Sequence, residues 1–168
     1  MGLFSRLFKK ERQMTEVKER DPLTIQVGDI VTYNLEDYQV VGKLIYYDSG
    51  YRWYAYQLEN NGKSLWLSAE MDDELELGIY EKINIPLHEP IPEKMEHEGV
   101  TYYRDESGTA QVQGEGRGKN ISGRSCRYFD FCDEEEERFL SVEIWGTEIE
   151  VSKGIAIEDY EINILAGS

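Results

Sequence analysis

Basic residues are scarce in this chain. Eighteen Lys and Arg stand against 34 Asp and Glu, giving a formal net charge of −16 over 168 residues. A DNA- or RNA-binding protein must neutralise phosphates with clustered cations, so this balance excludes that class of partner. Cysteine is nearly absent, with Cys126 and Cys132 the two examples. If "CRYFDFC" is a strand, these two lie roughly 20 Å apart at about 3.3 Å per residue. A disulfide needs Cα atoms within about 7 Å. The reading is therefore two free thiols and a reducing compartment. Histidine is limited to His88 and His97, nine apart. No Cys-x-x-Cys, His-Glu-x-x-His or nucleophile elbow occurs, so no metal, cofactor or catalytic residue is expected and the chain reads as a non-enzyme. No apolar run approaches the ~20 residues of a membrane span. The opening "MGLFSRLFKK" is too short in apolar length for a secretory h-region. The expected location is cytoplasmic, peripheral at the inner membrane face if the head described next binds there.

Hydrophobic content of 40%, with 12 Tyr, 5 Phe and 3 Trp, is sufficient for a real core. Residues 1–20 hold six bases against three acids, so the acidity belongs to the rest of the chain. Leu3, Phe4, Leu7 and Phe8 recur at helical spacing, with Lys9 and Lys10 beside them. Residues 1–21 are thus expected to form a short basic amphipathic helix and a linker. That head has three candidate docking surfaces: an anionic membrane or membrane protein, a protein partner, or the chain's own body.

From Pro22 onward the apolar period is two. "GDIVTYN", "YQVVGKLIYY", "YRWYAYQLE" and "SLWLSAE" are short, rich in Val, Ile, Tyr and Trp, and separated by turn residues. An Asn-Gly pair at 61–62 predicts a two-residue hairpin turn. The register that follows sets Leu58 opposite Leu65, Tyr56 opposite Leu67 and Tyr54 opposite Ala69 on one apolar face. The other face sets Trp53 against Glu70 and Gln57 against Trp66. Residues 84–98 hold three of the four prolines and both histidines and read as a connector. Beyond it the pattern returns: "VTYN" at 31–34 is echoed by "VTYY" at 100–103, and "LS-E" recurs at 140–143. The predicted fold is all-β. Two related antiparallel β-meander halves, 22–83 and 99–168, are joined by the 84–98 connector into a small barrel-like or sandwich-like body.

The repeat places the acidic run Asp133–Glu137 at the tip of the second hairpin, matching Asn60–Ser64 of the first. A solvated turn is the expected form, longer than the first because Glu-Glu does not take the positive φ of Asn-Gly. "QGEGRGKNISGRS" (113–125) reads as a loop or wide hairpin tip, since no helix follows to supply a phosphate cradle.

"GD-V-Y" at 28–33, "YQVVG" at 38–42, Trp53, Tyr56 and Leu58, and "WLS-E" at 66–70 resemble an uncharacterised bacterial family, the domain-of-unknown-function family four-one-seven-eight. Coverage is roughly 25–165. The resemblance carries no established activity and no catalytic residues; it implies only an association with genes for envelope-stress, small membrane and polyamine-synthesis proteins.

The hairpin face opposite the core gathers Trp53, Trp66 and Glu70 in the first half and Tyr128, Phe139 and Glu143 in the second. Ring faces and carboxylates both attract ammonium groups, so this face is the candidate ligand site. Burial of the two faces against each other is the competing reading. Three functions stay open: a binding or adaptor module that engages a protein partner or the membrane face through its head, a binder of small cations such as polyamines, and an enzyme of unrecognised type.

Overall fold

The computed structural model describes residues 19–167. The helical head expected over residues 1–10, with Leu3, Phe4, Leu7, Phe8, Lys9 and Lys10, lies outside the described residues. Eleven strands follow one another in antiparallel pairs: β1 (Ile30–Tyr33), β2 (Glu36–Asp48), β3 (Tyr51–Asn60), β4 (Lys63–Met71), β5 (Leu75–Ile83), β6 (Lys94–His97), β7 (Val100–Gly116), β8 (Ser125–Cys132), β9 (Arg138–Trp145), β10 (Glu148–Ile157) and β11 (Ile162–Leu165).

Their lateral order runs β11-β1-β2-β3-β4-β5-β10-β9-β8-β7-β6, and β2 also pairs with β7. That extra pairing closes β2–β5 and β7–β10 into one eight-stranded antiparallel barrel. The two halves therefore share a single wall, each contributing four strands. The strand β6 arises inside the stretch read as a connector and pairs with the outer part of β7.

The first hairpin has the register that the alternation predicts. Leu58 opposes Leu65, Tyr56 opposes Leu67 and Trp53 opposes Glu70. Asn61 and Gly62 both have positive φ, 45° and 82°, as a type I′ turn requires. A Cβ on Gly62 would meet nothing within 4 Å, so the cost of Gly62→Ala is purely conformational. Chemical denaturation of that variant should show a loss of about 1 kcal/mol; an unchanged midpoint would mean the turn does not hold this register.

The acidic run forms the second hairpin's tip, between β8 and β9. The Asp133 carboxylate accepts hydrogen bonds from the amides of Glu137 and Arg138 at 3.0 and 3.1 Å. Glu136 carries the positive φ, 55°. This is a longer turn organised by its first acid, which spares Glu134 and Glu135 the left-handed conformation. No group of three metal-ligating side chains occurs among the described residues.

The 113–125 stretch departs from expectation at its start. Gln113 to Gly116 complete β7 and form the seam with β2, where Gly114 lies opposite Leu44 and Gly116 opposite Gly42. A Cβ on Gly116 would meet the Val41 carbonyl oxygen at 2.5 Å. The glycines thus permit the close backbone approach that shuts the barrel, a reason invisible in a local pattern. Only the remainder is the hairpin tip, with a short 3-10 turn at Lys119–Ile121.

Two apolar cores lie on the outer side of the wall. One joins Tyr56, Leu58, Leu67, Ile79 and Ile157 under the segment that carries Ile25 and under β1 and β11. The other joins Phe131, Leu140, Val142 and Val151 under β6 and the proline-rich segment, through Ile91 and Met95. Each half's main apolar face is thus buried outward, while the opposite face looks into the barrel, where a third apolar core joins Leu44, Tyr46, Val112, Cys126 and Trp145. Cys126 and Cys132 are free thiols. Among the described residues no helix is long and apolar enough to cross a membrane.

Candidate functional site

An eight-stranded barrel is about wide enough for side chains to fill it or for one small ligand to occupy it. Register shows which residues point inward. Trp53 opposes Glu70, Gln57 opposes Trp66, and Trp66 in turn opposes Tyr80. Continuing round the wall, Tyr80 opposes Gly154, Gly154 opposes Phe139, and Glu143 opposes Tyr128. One face of every barrel strand therefore forms a common lumen. It encloses a cavity of about 1150 Å³.

All six side chains singled out from sequence, Trp53, Trp66, Glu70, Tyr128, Phe139 and Glu143, line that cavity. The face read as a ligand site and the faces read as buried against each other are the same surface, because two meanders rolled into a barrel oppose their inner faces across a space. Small inward residues keep the space open. Ser68, Ser141, Ser152 and Ala156 line the lumen. Gly108 leaves room where a Cβ would lie 2.6 Å from the Tyr128 hydroxyl. The Tyr80 ring lies flat across Gly154, whose Cβ would sit 2.5 Å from it.

The aromatic lining is ordered by mutual packing. Tyr46 and Trp53 stack at 5.3 Å between centroids, and Tyr128 meets Trp53 edge-on at 5.2 Å. Tyr80 stacks against Phe139 at 6.3 Å. The Tyr128 hydroxyl donates to Asp48 Oδ2 at 2.5 Å, tying β8 to β2 over Gly108 of the intervening β7.

Charge is divided between the two ends. In an antiparallel barrel alternate turns fall at alternate ends. The turns after β2, β4 and β8 share one end, near which lie Asp48, Glu70, Glu76, Glu106 and Asp130. The bases among the described lining residues are Lys82, Arg117 and Arg124, all toward the other end. There Lys82 Nζ lies over the Trp66 ring at 6.0 Å and pairs with Glu150 at 3.2 Å. Arg124 covers the Trp145 ring at 5.6 Å. At that end the chain supplies its own cations to its own rings and carboxylates. Among the described residues that line the lumen, the acidic end has none.

The carboxylates register this imbalance. Burial, then the like charges of Glu143, Glu106 and Glu70, push Asp130 up to about 7. Burial pushes Glu143 up to about 7 as well, against hydrogen bonds from Tyr46 and Trp145 and the nearby Lys82, which favour its ionised form. Glu70 is raised by burial and by Glu106, Glu76 and Asp72. Burial and the charges of Glu143 and Glu150 also lift the Cys126 thiol well above its usual range, which makes it a poor nucleophile.

Sequence reasoning missed Asp48, Glu76, Glu106, Tyr46, Tyr80 and Lys82 as lining residues. Extending the alternation along "YYD" at 46–48 and "GIYEK" at 78–82 identifies the inward parity of Tyr46, Asp48, Tyr80 and Lys82. Glu106 had no such signal, since a register irregularity between Arg104 and Glu106 breaks the alternation there.

No curated protein and no solved structure matches the chain. A family model described as a domain of unknown function, DUF4178, matches residues 26–159, which take in the whole barrel wall.

Proposed function

The chain belongs to the DUF4178 family, and we propose that its barrel lumen binds small organic cations, of which linear polyamines are the natural class. The observation that carries this reading is the acidic end of the lumen: Asp48, Glu70, Glu106 and Asp130 gather around one aromatic-lined space, with no base of the described residues among them. Such a space attracts a positive ligand through the summed field of its carboxylates, which a low-dielectric wall focuses inward. Trp53, Tyr80 and Tyr128 then offer ring faces and apolar contact to the aliphatic part of an alkylamine. The opposite end shows the same recognition made within the chain, where the Lys82 ammonium sits between Trp66 and Glu150. An alkylammonium ligand repeats that arrangement with Trp53 and the carboxylates of Glu70 and Asp130.

All three tryptophans, Trp53, Trp66 and Trp145, line the lumen, so intrinsic fluorescence reports on it directly. Spermidine should change that fluorescence saturably at constant ionic strength. The double variant Glu70→Gln/Asp130→Asn should weaken the effect at least tenfold. A response that survives both substitutions, or that moderate salt abolishes in wild type and variant alike, would reduce the binding to general attraction toward a chain of net charge −16.

Recruitment through the basic head rests on residues 1–12, outside the described structure, and no feature of the barrel adds to it.

A further inference from the structure

We infer that the lumen takes up its cation by exchange, releasing protons held among its facing carboxylates as the ammonium group enters. This rests on the binding reading above and adds its regulation by pH.

The geometry supplies the proton store. Asp130 on β8 stands opposite Ser141 of β9 and opposite Glu106 of β7. Glu70 of β4 and Asp105 of β7 act on it electrostatically, and Tyr80 of β5 feels its charge. Among the described residues no cation is one of these neighbours. Glu143 on β9 faces Glu150 of β10, Tyr128 and Cys126 of β8, Tyr46 of β2 and Lys82 of β5. Lys82, the one base in that set, already lies 3.2 Å from Glu150. Glu70, Asp130 and Glu143 thus line one cavity in half-buried positions, with the Lys82 ammonium the single one beside them among the described residues. Like charges held together in low dielectric do not all ionise, so protons stay on some of them and are shared across the set.

The ionisation of Asp130 and Glu143 near neutrality agrees with this arrangement. An alkylammonium ion keeps its charge at pH 7. Once inside, it favours the ionised form of each carboxylate it meets, and the displaced protons leave to solvent. Each carboxylic acid becomes a carboxylate paired with the ligand, so charge balances. The direction follows by linkage. Affinity rises with pH up to about 7, by up to tenfold per pH unit for each proton displaced, and levels off above. At pH 5 protons hold the site against the ligand.

Two measurements on the whole chain separate this inference from the binding reading. In the absence of ligand, the side-chain carboxyl carbons of Asp130 and Glu143, followed by NMR, should titrate near pH 7; both titrating below pH 5 would overturn the exchange. Calorimetric titration of spermidine at pH 7, in phosphate and in Tris, should give enthalpies that differ by the release of up to about one proton, since Asp130 and Glu143 are each about half protonated there. In Asp130→Asn the release should fall while residual binding persists. Saturable binding with equal enthalpy in both buffers would overturn the exchange and leave the binding reading standing. Absence of binding, with the carboxyl groups still titrating near 7, would overturn both the uptake and its coupling.

Discussion

Replacing Asp130 by Asn should make the protein more stable at pH 8, by about 2–4 kcal/mol, and leave it nearly unchanged at pH 4. Burial and the neighbouring carboxylates carry Asp130 from its ordinary value of 3.8 to about 7 in the folded chain. Between those limits the native state holds a proton that the unfolded state has lost, so stability falls as pH rises and the loss is complete near 7. A raised carboxylate thus contributes its stability at low pH only. At about 1.4 kcal/mol per pH unit, the full shift corresponds to roughly 4 kcal/mol, an upper figure because water in the lumen solvates part of the charge. Asn has the shape of the protonated acid and carries no charge to desolvate. For a chain of this size the expected rise in Tm at pH 8 is roughly 5–10 °C. An Asn variant that melts at or below the wild-type temperature at pH 8 would show that Asp130 is already compensated there. Taken with the expected weakening of spermidine binding, the gain would identify Asp130 as a residue kept at a cost to the fold.

Asp29 should behave in the opposite sense. Its side chain is almost fully buried, yet it accepts from Arg20 Nε and from the amides of Gln26 and Gly167, each at 2.8 Å. Burial alone raises its pKa, but the amides of Gly167 and Gln26 and the Arg20 guanidinium outweigh that and hold it below the usual range. Its contribution is therefore present above pH 3.8 and is lost as pH falls through the lower folded value. Asp29→Ala leaves two amides and a guanidinium without their acceptor, and the expected loss at pH 7 is about 3–5 kcal/mol. Hydrogen exchange should locate the damage in the segment over the first outer core and in β1 and β11. A loss under 1 kcal/mol would mean water replaces the carboxylate without strain.

What the alternation of side chains could reveal, it revealed. The first hairpin's register, the burial of Tyr56 and Leu58 on one face, and the common face of Trp53, Trp66, Glu70, Tyr128, Phe139 and Glu143 all follow from a period of two, one Asn-Gly pair and the repeat. Closure did not follow. Whether two meanders stack or roll into one wall depends on the pairing of β2 with β7, whose partners are about 70 residues apart in the chain. The signal for it was a pair of glycines, Gly114 and Gly116, which locally look like loop. The strand β6 was concealed in the same way, since Pro90 and Pro92 precede a four-residue strand that only its partner on β7 defines. Lys82 was overlooked because a lone base in an acidic chain attracts no notice until its place over Trp66 is seen.

Two of the three apolar cores lie outside the barrel wall, and this separates heritable change at the acidic end of the interior from the integrity of the fold. In a barrel whose stability comes from its own packed centre, every inward substitution opens a void or forces a clash. Here Tyr56, Leu67, Phe131 and Val142 hold the wall from behind. The acidic end of the interior can then exchange one side chain for another of different charge or size, and some exchanges even strengthen the fold. Such a wall can be retained across descendants while the molecule it accommodates changes, so relatives with the same strands are free to diverge in what they hold.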